Sequence, residues 1–224
     1  MGWESHSLGA KNNAMENPVL IFGAGDLGLK ALDIFKKNNV MVYGFLDDRQ
    51  ELQGKEFGDV SVLSHTDDKA YLDVLGSKCE VFLAIGERSV RERLVETLVK
   101  DYKVMPVNAI HESASISDTA TVGHGNLIAA RAIIGPVSVL GQHCLVLAGA
   151  IIDGSVQVGD FCTIGAGAIL NDRVSLGEGV FIGAGATIVA GVTIGKGARI
   201  GAGSVVVENV PANATYFGNP ARKV

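Results

Sequence analysis

The chain is poor in aromatic residues, in cysteine and in positive charge. Phe, Tyr and Trp together make up 6% of its 224 residues, so any core must be filled mainly by aliphatic side chains. Three cysteines do not make a disulfide framework, and nothing points to an oxidising compartment. Lys and Arg number 19 against 24 Asp and Glu, a net charge of −5 that excludes a general nucleic-acid binder. An anionic ligand would have to be held by local amides and a few basic residues. No apolar segment approaches the length of a membrane span. Residues 1–17 are polar, lack a signal-peptide run and read as a leader, with Met15 a candidate second start. A cytoplasmic protein with no membrane partner is expected.

What the chain has is glycine, 29 residues of it, and a period of six. From Ile110 to Val206 every sixth residue is aliphatic, seventeen in unbroken register. Four residues after each of the first sixteen stands a small, β-branched or amide residue, such as Ala132, Ser138, Cys144 and Ala150. Neither the helix period of 3.6 nor the strand period of 2 sustains such a repeat, whereas a parallel β-helix of hexapeptides does. Three hexapeptides make one triangular coil, with the aliphatic residue pointing inward and the small one filling a corner. Glycine follows the aliphatic position at Gly135, Gly159, Gly165, Gly183 and elsewhere, where it is expected to supply corner conformations that a Cβ penalises. Cys144 and Cys162 fall at the same corner of successive coils. Their spacing suits a disulfide by distance, and buried free thiols are the better reading.

The first hundred residues have another pattern. The run from Pro18 to Gly28, PVLIFGAGDLG, reads as a buried strand ending in Gly23-x-Gly25-x-x-Gly28, followed by a helix to about Lys37 and a strand over Val40–Leu46 that ends at Asp47-Asp48. Such a turn lets phosphate approach amides at a helix N-terminus while a carboxylate takes a ribose hydroxyl. A third strand over Glu80–Ile85 ends at Gly86. A helix from about Glu87 to Lys100 carries Arg91, and a strand over Lys103–Val107 hands the chain to the prism. About ninety residues leave room for half of a dinucleotide-binding domain, so hydride chemistry is not expected. The other reading of the turn is a packing device in a domain kept for folding or subunit contacts.

The βαβ unit, the hexapeptides and the ending Phe217-Gly-Asn-Pro-Ala-Arg222 together resemble the bacterial sugar O- and N-acyltransferases, which include sialic acid O-acetyltransferases and PglD-type nucleotide-sugar N-acetyltransferases. The resemblance rests on GAGDLG, Phe45-Leu-Asp-Asp48, Phe82-Leu-Ala-Ile-Gly86 with Arg91, Val107-Asn-Ala-Ile-His111, the hexapeptides and GNPAR. It implies a Rossmann-like α/β half domain followed by an all-β left-handed parallel β-helix, assembled as a homotrimer. It also implies acetyl-CoA or another acyl-CoA in the cleft between prisms, and a sugar or nucleotide-sugar acceptor. Expected divisions are residues 1–17, 18–108, 109–206 and 207–224, the last a capping segment. The other reading is a catalytically altered binding or scaffold relative.

The resemblance also shows where this chain departs. The family's catalytic histidine precedes a V-x-G-[DE]-F hexapeptide, here Val158-Gly-Asp-Phe161, and its place is held by Gly154. Two further family histidines correspond to Thr163 and Leu27. Candidates for the base are Asp153, with Ser155 beside it and His143 two hexapeptides earlier. A base removes the acceptor's proton, and an amine, already nucleophilic, needs less help than a hydroxyl. Asp153 also suits a plain turn residue. The resemblance places substrate at Gly23, Gly25, Gly28, Asp47, Asp48, Gly86 and Arg91. It places cofactor near Asn171, Asp172, Gly183, Gly201, Gly218 and Arg222, with Lys196 and Arg199 adding charge. No spacing of His, Cys and carboxylate resembles a metal site.

Overall fold

The computed structural model describes residues 17–224, and the expected leader, apart from Asn17, lies outside the described residues. Residues 19–97 form β1 (Val19–Phe22), α1 (Asp26–Lys37), β2 (Val42–Leu46), β3 (Glu56–Phe57), β4 (Val60–Ser64), α2 (Lys69–Leu72), β5 (Glu80–Leu83) and α3 (Arg88–Thr97). The sheet runs in the order β3-β4-β2-β1-β5, parallel except for β3. Every residue of β1 is buried because both faces are covered. Val19 and Ile21 pack with Ala31, Ile34 and Phe35 of α1, while Leu20 and Phe22 face Leu72, Leu75 and Leu98 on the other side.

One expectation changes here, and one element is new. The strand over Lys103–Val107 does not form: α3 continues into a π-type turn over Leu98–Tyr102, and Lys103, with φ of 58°, closes it in the left-handed region. The hairpin β3–β4, short and of mixed polarity, had no pattern to announce it.

The prism matches the repeat. Seventeen two-residue strands run from Ala109–Ile110 to Val205–Val206 and stack into three parallel walls. Each residue pairs with the one a full coil later, as Ile134 does with Ile152 and Leu140 with Val158. The coils wind left-handed, as the family resemblance implies. The coil length shortens only at the end, where Val210 bridges Ile194. The chain then adds β23 (Thr215–Gly218) and β24 (Ala221–Lys223) to the first wall.

Inside, the aliphatic ladder is sealed from water: Ile152, Ile164, Leu170, Ile182 and Ile188 are all fully buried. Polar corner residues are satisfied by carbonyls of the next coil. The Ser138 hydroxyl donates to the Asp153 carbonyl at 2.6 Å, and the Cys144 and Cys162 thiols donate to Gly159 and Gly177 at 3.3 and 3.2 Å. All three cysteines are free and buried.

The glycines after the aliphatic position have a different reason from the expected one. Left-handed backbone occurs two residues further on, at Gly167 and also at Ser155 and Phe161. Gly165 is needed because a Cβ there would lie 2.5 Å from the Ala184 nitrogen of the next coil. The constraint is close approach of backbones, and not an unusual φ.

The α/β part docks on the first wall. Outward-facing Leu127 and Leu145 join Phe82, Ala84 and the α1 side chains in one core. Asn38 donates to the Ile110 carbonyl at 2.7 Å, and Arg88 pairs with Glu178 at 2.8 Å. Among the described residues no helix is long and apolar enough to cross a membrane.

Candidate active site

The glycine turn is built by backbone crowding. Gly23 has φ of 100°, and a Cβ at Gly28 would stand 2.0 Å from the Gly23 carbonyl oxygen. The amides of the first turn of α1 have no intrahelical acceptor, and Gly25 at the N-cap offers them no side-chain bond. Asp47 was expected to meet a ribose. Instead its oxygens accept the Ala24 amide at 2.7 Å and the Arg49 guanidinium at 2.8 and 2.9 Å, together with the Arg49 amide. Burial alone would raise its pKa. The hydrogen bond from Arg49, the two amides and the guanidinium charge more than offset this and hold it at about 2. Asp48 is likewise engaged by the Thr66 amide and hydroxyl.

The group that Asp47 presents is Arg49, which the sequence reading missed. Its terminal nitrogen would lie 3.4 Å from a Cβ at Gly25, and its side chain is about half exposed. Asp47 therefore orders the turn and aims a cation at the helix N-terminus. The signal was present, as the arginine follows the acidic pair directly. Gly86 lies exposed at the end of β5, next to Leu27.

Arg91 was expected to meet substrate, and the structure buries it, 1% exposed, beneath that loop. Its guanidinium donates to the Ile85 and Gly86 carbonyls and reaches the Phe161 carbonyl at 3.5 Å. It also lies 6.0 Å from the Phe161 ring centre. His143 stacks on the same ring from below and is 3% exposed. Burial, and then the Arg91 charge, push its pKa down to about 4. His143 thus belongs to the corner of Gly125, Phe161 and Gly179, which α3 covers. As a candidate base His143 is set aside: its ring is packing between coils. His111 is also buried, its Nδ1 accepting the Ser113 amide at 3.0 Å.

Asp153, Gly154 and Ser155 stand at another corner, with Asn171, Asp172 and Arg173 one coil beyond. Asp153 and Ser155 are exposed, and one Asp153 oxygen accepts the Gly154 amide at 2.9 Å. Gly154 is buried in a slot where a Cβ would meet Asp172 Oδ1 at 3.1 Å and the Pro136 carbonyl oxygen at 3.7 Å. Asn171 donates its side-chain amide to the Ile188 carbonyl at 2.7 Å, which turns it toward the coil stack.

The positions expected to meet cofactor are dispersed. Gly183 is buried, and a Cβ there would lie 2.4 Å from the Ala202 nitrogen, so its smallness serves stacking. Gly201 makes room for the Phe217 ring. The Gly218 amide donates to Ser204 Oγ at 3.1 Å, and Arg222 lies 3.5 Å from Glu208. Lys196 pairs with Glu178, and Arg199 covers the Phe181 ring at 4.6 Å. Among the described residues no group of three or more His, Cys, Asp or Glu is arranged to hold a metal ion.

Comparison with known proteins agrees with this architecture. Residues 18–98 match the model of the PglD N-terminal domain, residues 136–172 the hexapeptide repeat of succinyl-transferase, and residues 173–207 the bacterial transferase hexapeptide. The acetyltransferase domain of PglB from Neisseria gonorrhoeae, solved with acetyl coenzyme A, is 28% identical with a TM-score of 0.86, over 93% of this chain and 99% of that one. A histidine-to-asparagine mutant of perosamine N-acetyltransferase from Caulobacter crescentus, solved with CoA and GDP-perosamine, is 29% identical with a TM-score of 0.85, over 94% and 98%. WeeI from Acinetobacter baumannii is 27% identical with a TM-score of 0.82, over 92% and 99%. No curated protein sequence matches the chain.

An α/β domain with a glycine turn, docked on a hexapeptide prism, defines a left-handed β-helix acyltransferase. Within that class the chain is similar to the PglD-like sugar acetyltransferases, whose N-terminal domain model matches residues 18–98.

Proposed function

We propose that this protein transfers an acyl group, acetyl in the first instance, from acyl-CoA to an amino group of a nucleotide-linked sugar. The observation that carries the reading is the likeness, over more than nine-tenths of the chain, to acetyltransferases solved with acetyl-CoA or with CoA and GDP-perosamine. The nucleotide lies at Gly23, Gly25 and Gly28, its phosphates near Arg49, with Asp48 and Gly86 at the rim. In support, the turn joins unpaired helix amides to an exposed guanidinium. Asp47 and Arg91 hold this site in place from behind. The amine enters at Asp153, Gly154 and Ser155. An amine is favoured over a hydroxyl because no imidazole stands at that corner.

The acyl-CoA arm runs along the coils toward Gly183, Gly201, Gly218 and Arg222, with Asn171 and Asp172 near the thioester. The assembly is a homotrimer, and the divisions fall at residues 17, 108 and 206. Supporting the trimer, the second wall turns Ile133, Ile151 and Ile169 outward, Ile133 being 42% exposed, with Val137 at 61% beside them. Three buried free thiols suit the reducing cytoplasm.

Calorimetric titration with acetyl-CoA, against free CoA, tests the reading. Saturable binding at one site per subunit with micromolar affinity is the expected result. Absence of binding at millimolar cofactor overturns it, and light scattering checks the trimer.

A further inference from the structure

Gly154 stands where the family resemblance puts a histidine, and the slot left there is not featureless. Pro136 forms its floor, with the carbonyl oxygen 3.7 Å and Cγ 3.8 Å from the Cβ position. Its roof is Asp172, whose Oδ1 comes within 3.1 Å of that position. Two carboxylates therefore flank Gly154, and they differ in availability. Asp153 has one oxygen tied to the Gly154 amide, along the turn. The Asp172 carboxylate has no hydrogen-bond or ion-pair partner among the described residues, although Arg173 is its neighbour. It is exposed, and it reaches from the next coil into the space that a side chain at 154 would fill.

We propose that Asp172 is the general base of this enzyme, acting from one coil above the position where its relatives carry a histidine. This rests on the acyltransferase reading. The acceptor nitrogen lies in the Gly154 slot and attacks the thioester carbonyl carbon, so that a C–N bond forms. Its proton passes to the Asp172 carboxylate. Collapse of the adduct breaks the C–S bond, and the CoA thiolate takes up the proton, which returns Asp172 to its anionic form. The products are the amide and free CoA thiol, with no other reactant consumed. The geometry selects for amines. A carboxylate is too weak a base to activate a hydroxyl readily, but it is sufficient once the nitrogen has begun to bond.

The test compares the wild type with Asp172→Asn, Asp153→Asn and the double variant Gly154→His/Asp172→Asn. Acetyl-CoA binding is followed by calorimetry, and thiol release with UDP- and GDP-linked amino sugars gives turnover. Expected for Asp172→Asn is a kcat lower by about 100-fold or more, the range of a lost general base, with KM and acetyl-CoA affinity within about threefold. Asp153→Asn falls less, and the introduced imidazole restores turnover to the double variant. Asp172→Asn is isosteric at an exposed corner, and an unchanged thermal midpoint confirms folding.

Turnover retained in Asp172→Asn overturns the assignment and leaves the acyltransferase reading standing. Bound acetyl-CoA without turnover by the wild type on any of these acceptors also overturns it. Failure of the wild type to bind acetyl-CoA removes the reading itself.

Discussion

The imidazole of His143 lies on the ring of Phe161, one coil further on, with centroids 5.0 Å apart and planes inclined by 28°. The pair fills a corner that α3 closes with Arg91. A histidine sealed there is held neutral, first by burial and then by the guanidinium above it.

This makes stability depend on pH in a defined window. The unfolded histidine takes a proton below about 6.5, while the folded one refuses it until about 4. Stability is therefore full above the upper value and lost as pH falls toward the lower, by up to about 3 kcal/mol. Urea unfolding between these limits should show the slope, and His143→Phe should flatten it. Parallel curves for the two proteins would refute the account.

Arg91 contributes to that shift through its charge, so Arg91→Met should raise the His143 pKa from about 4, as read by NMR titration. Three carbonyls, of Ile85, Gly86 and Phe161, lose a donor in the same variant. A cost of about 2 kcal/mol or more is expected in thermal unfolding. An unmoved histidine would place the cause in burial alone.

Asp47→Asn should destabilise the α/β part by about 2 kcal/mol at neutral pH, the value of holding its pKa near 2 instead of 3.8. That stabilisation is present above the unfolded value and lost as pH falls through the folded one. The variant and the wild type should then converge in strong acid. Arg49→Ala should weaken nucleotide-sugar binding while leaving acetyl-CoA affinity unchanged.

The two classes of prism glycine should respond differently to alanine. At Gly165 the new methyl collides with the next coil, which should cost about 2–3 kcal/mol. At Gly167, with φ of 65° and open space around it, only the left-handed backbone is penalised, about 1 kcal/mol. Paired denaturation curves decide this, and equal costs would contradict the reason given for Gly165.

The hexapeptide register from Ile110 to Val206 was legible because each coil repeats the same local rule, so every residue's partner lies a fixed distance along the chain. The β1 turn was legible for a related reason: strand, glycines and helix are contiguous, and Gly28 meets Gly23 within a few residues. The sequence by itself determined these, and with them the resemblance to sugar acyltransferases. Only the tertiary structure decided what lies across long separations. The docking of α3 on the Phe161 corner sealed His143 between coils and turned Arg91 into a strut. The folding back of Arg49 onto Asp47 exchanged a carboxylate for a cation at the glycine turn. The stacking of one coil on the next set Asp172 over Gly154. These contacts follow from how separate surfaces fit together, and no periodicity in the chain records that fit.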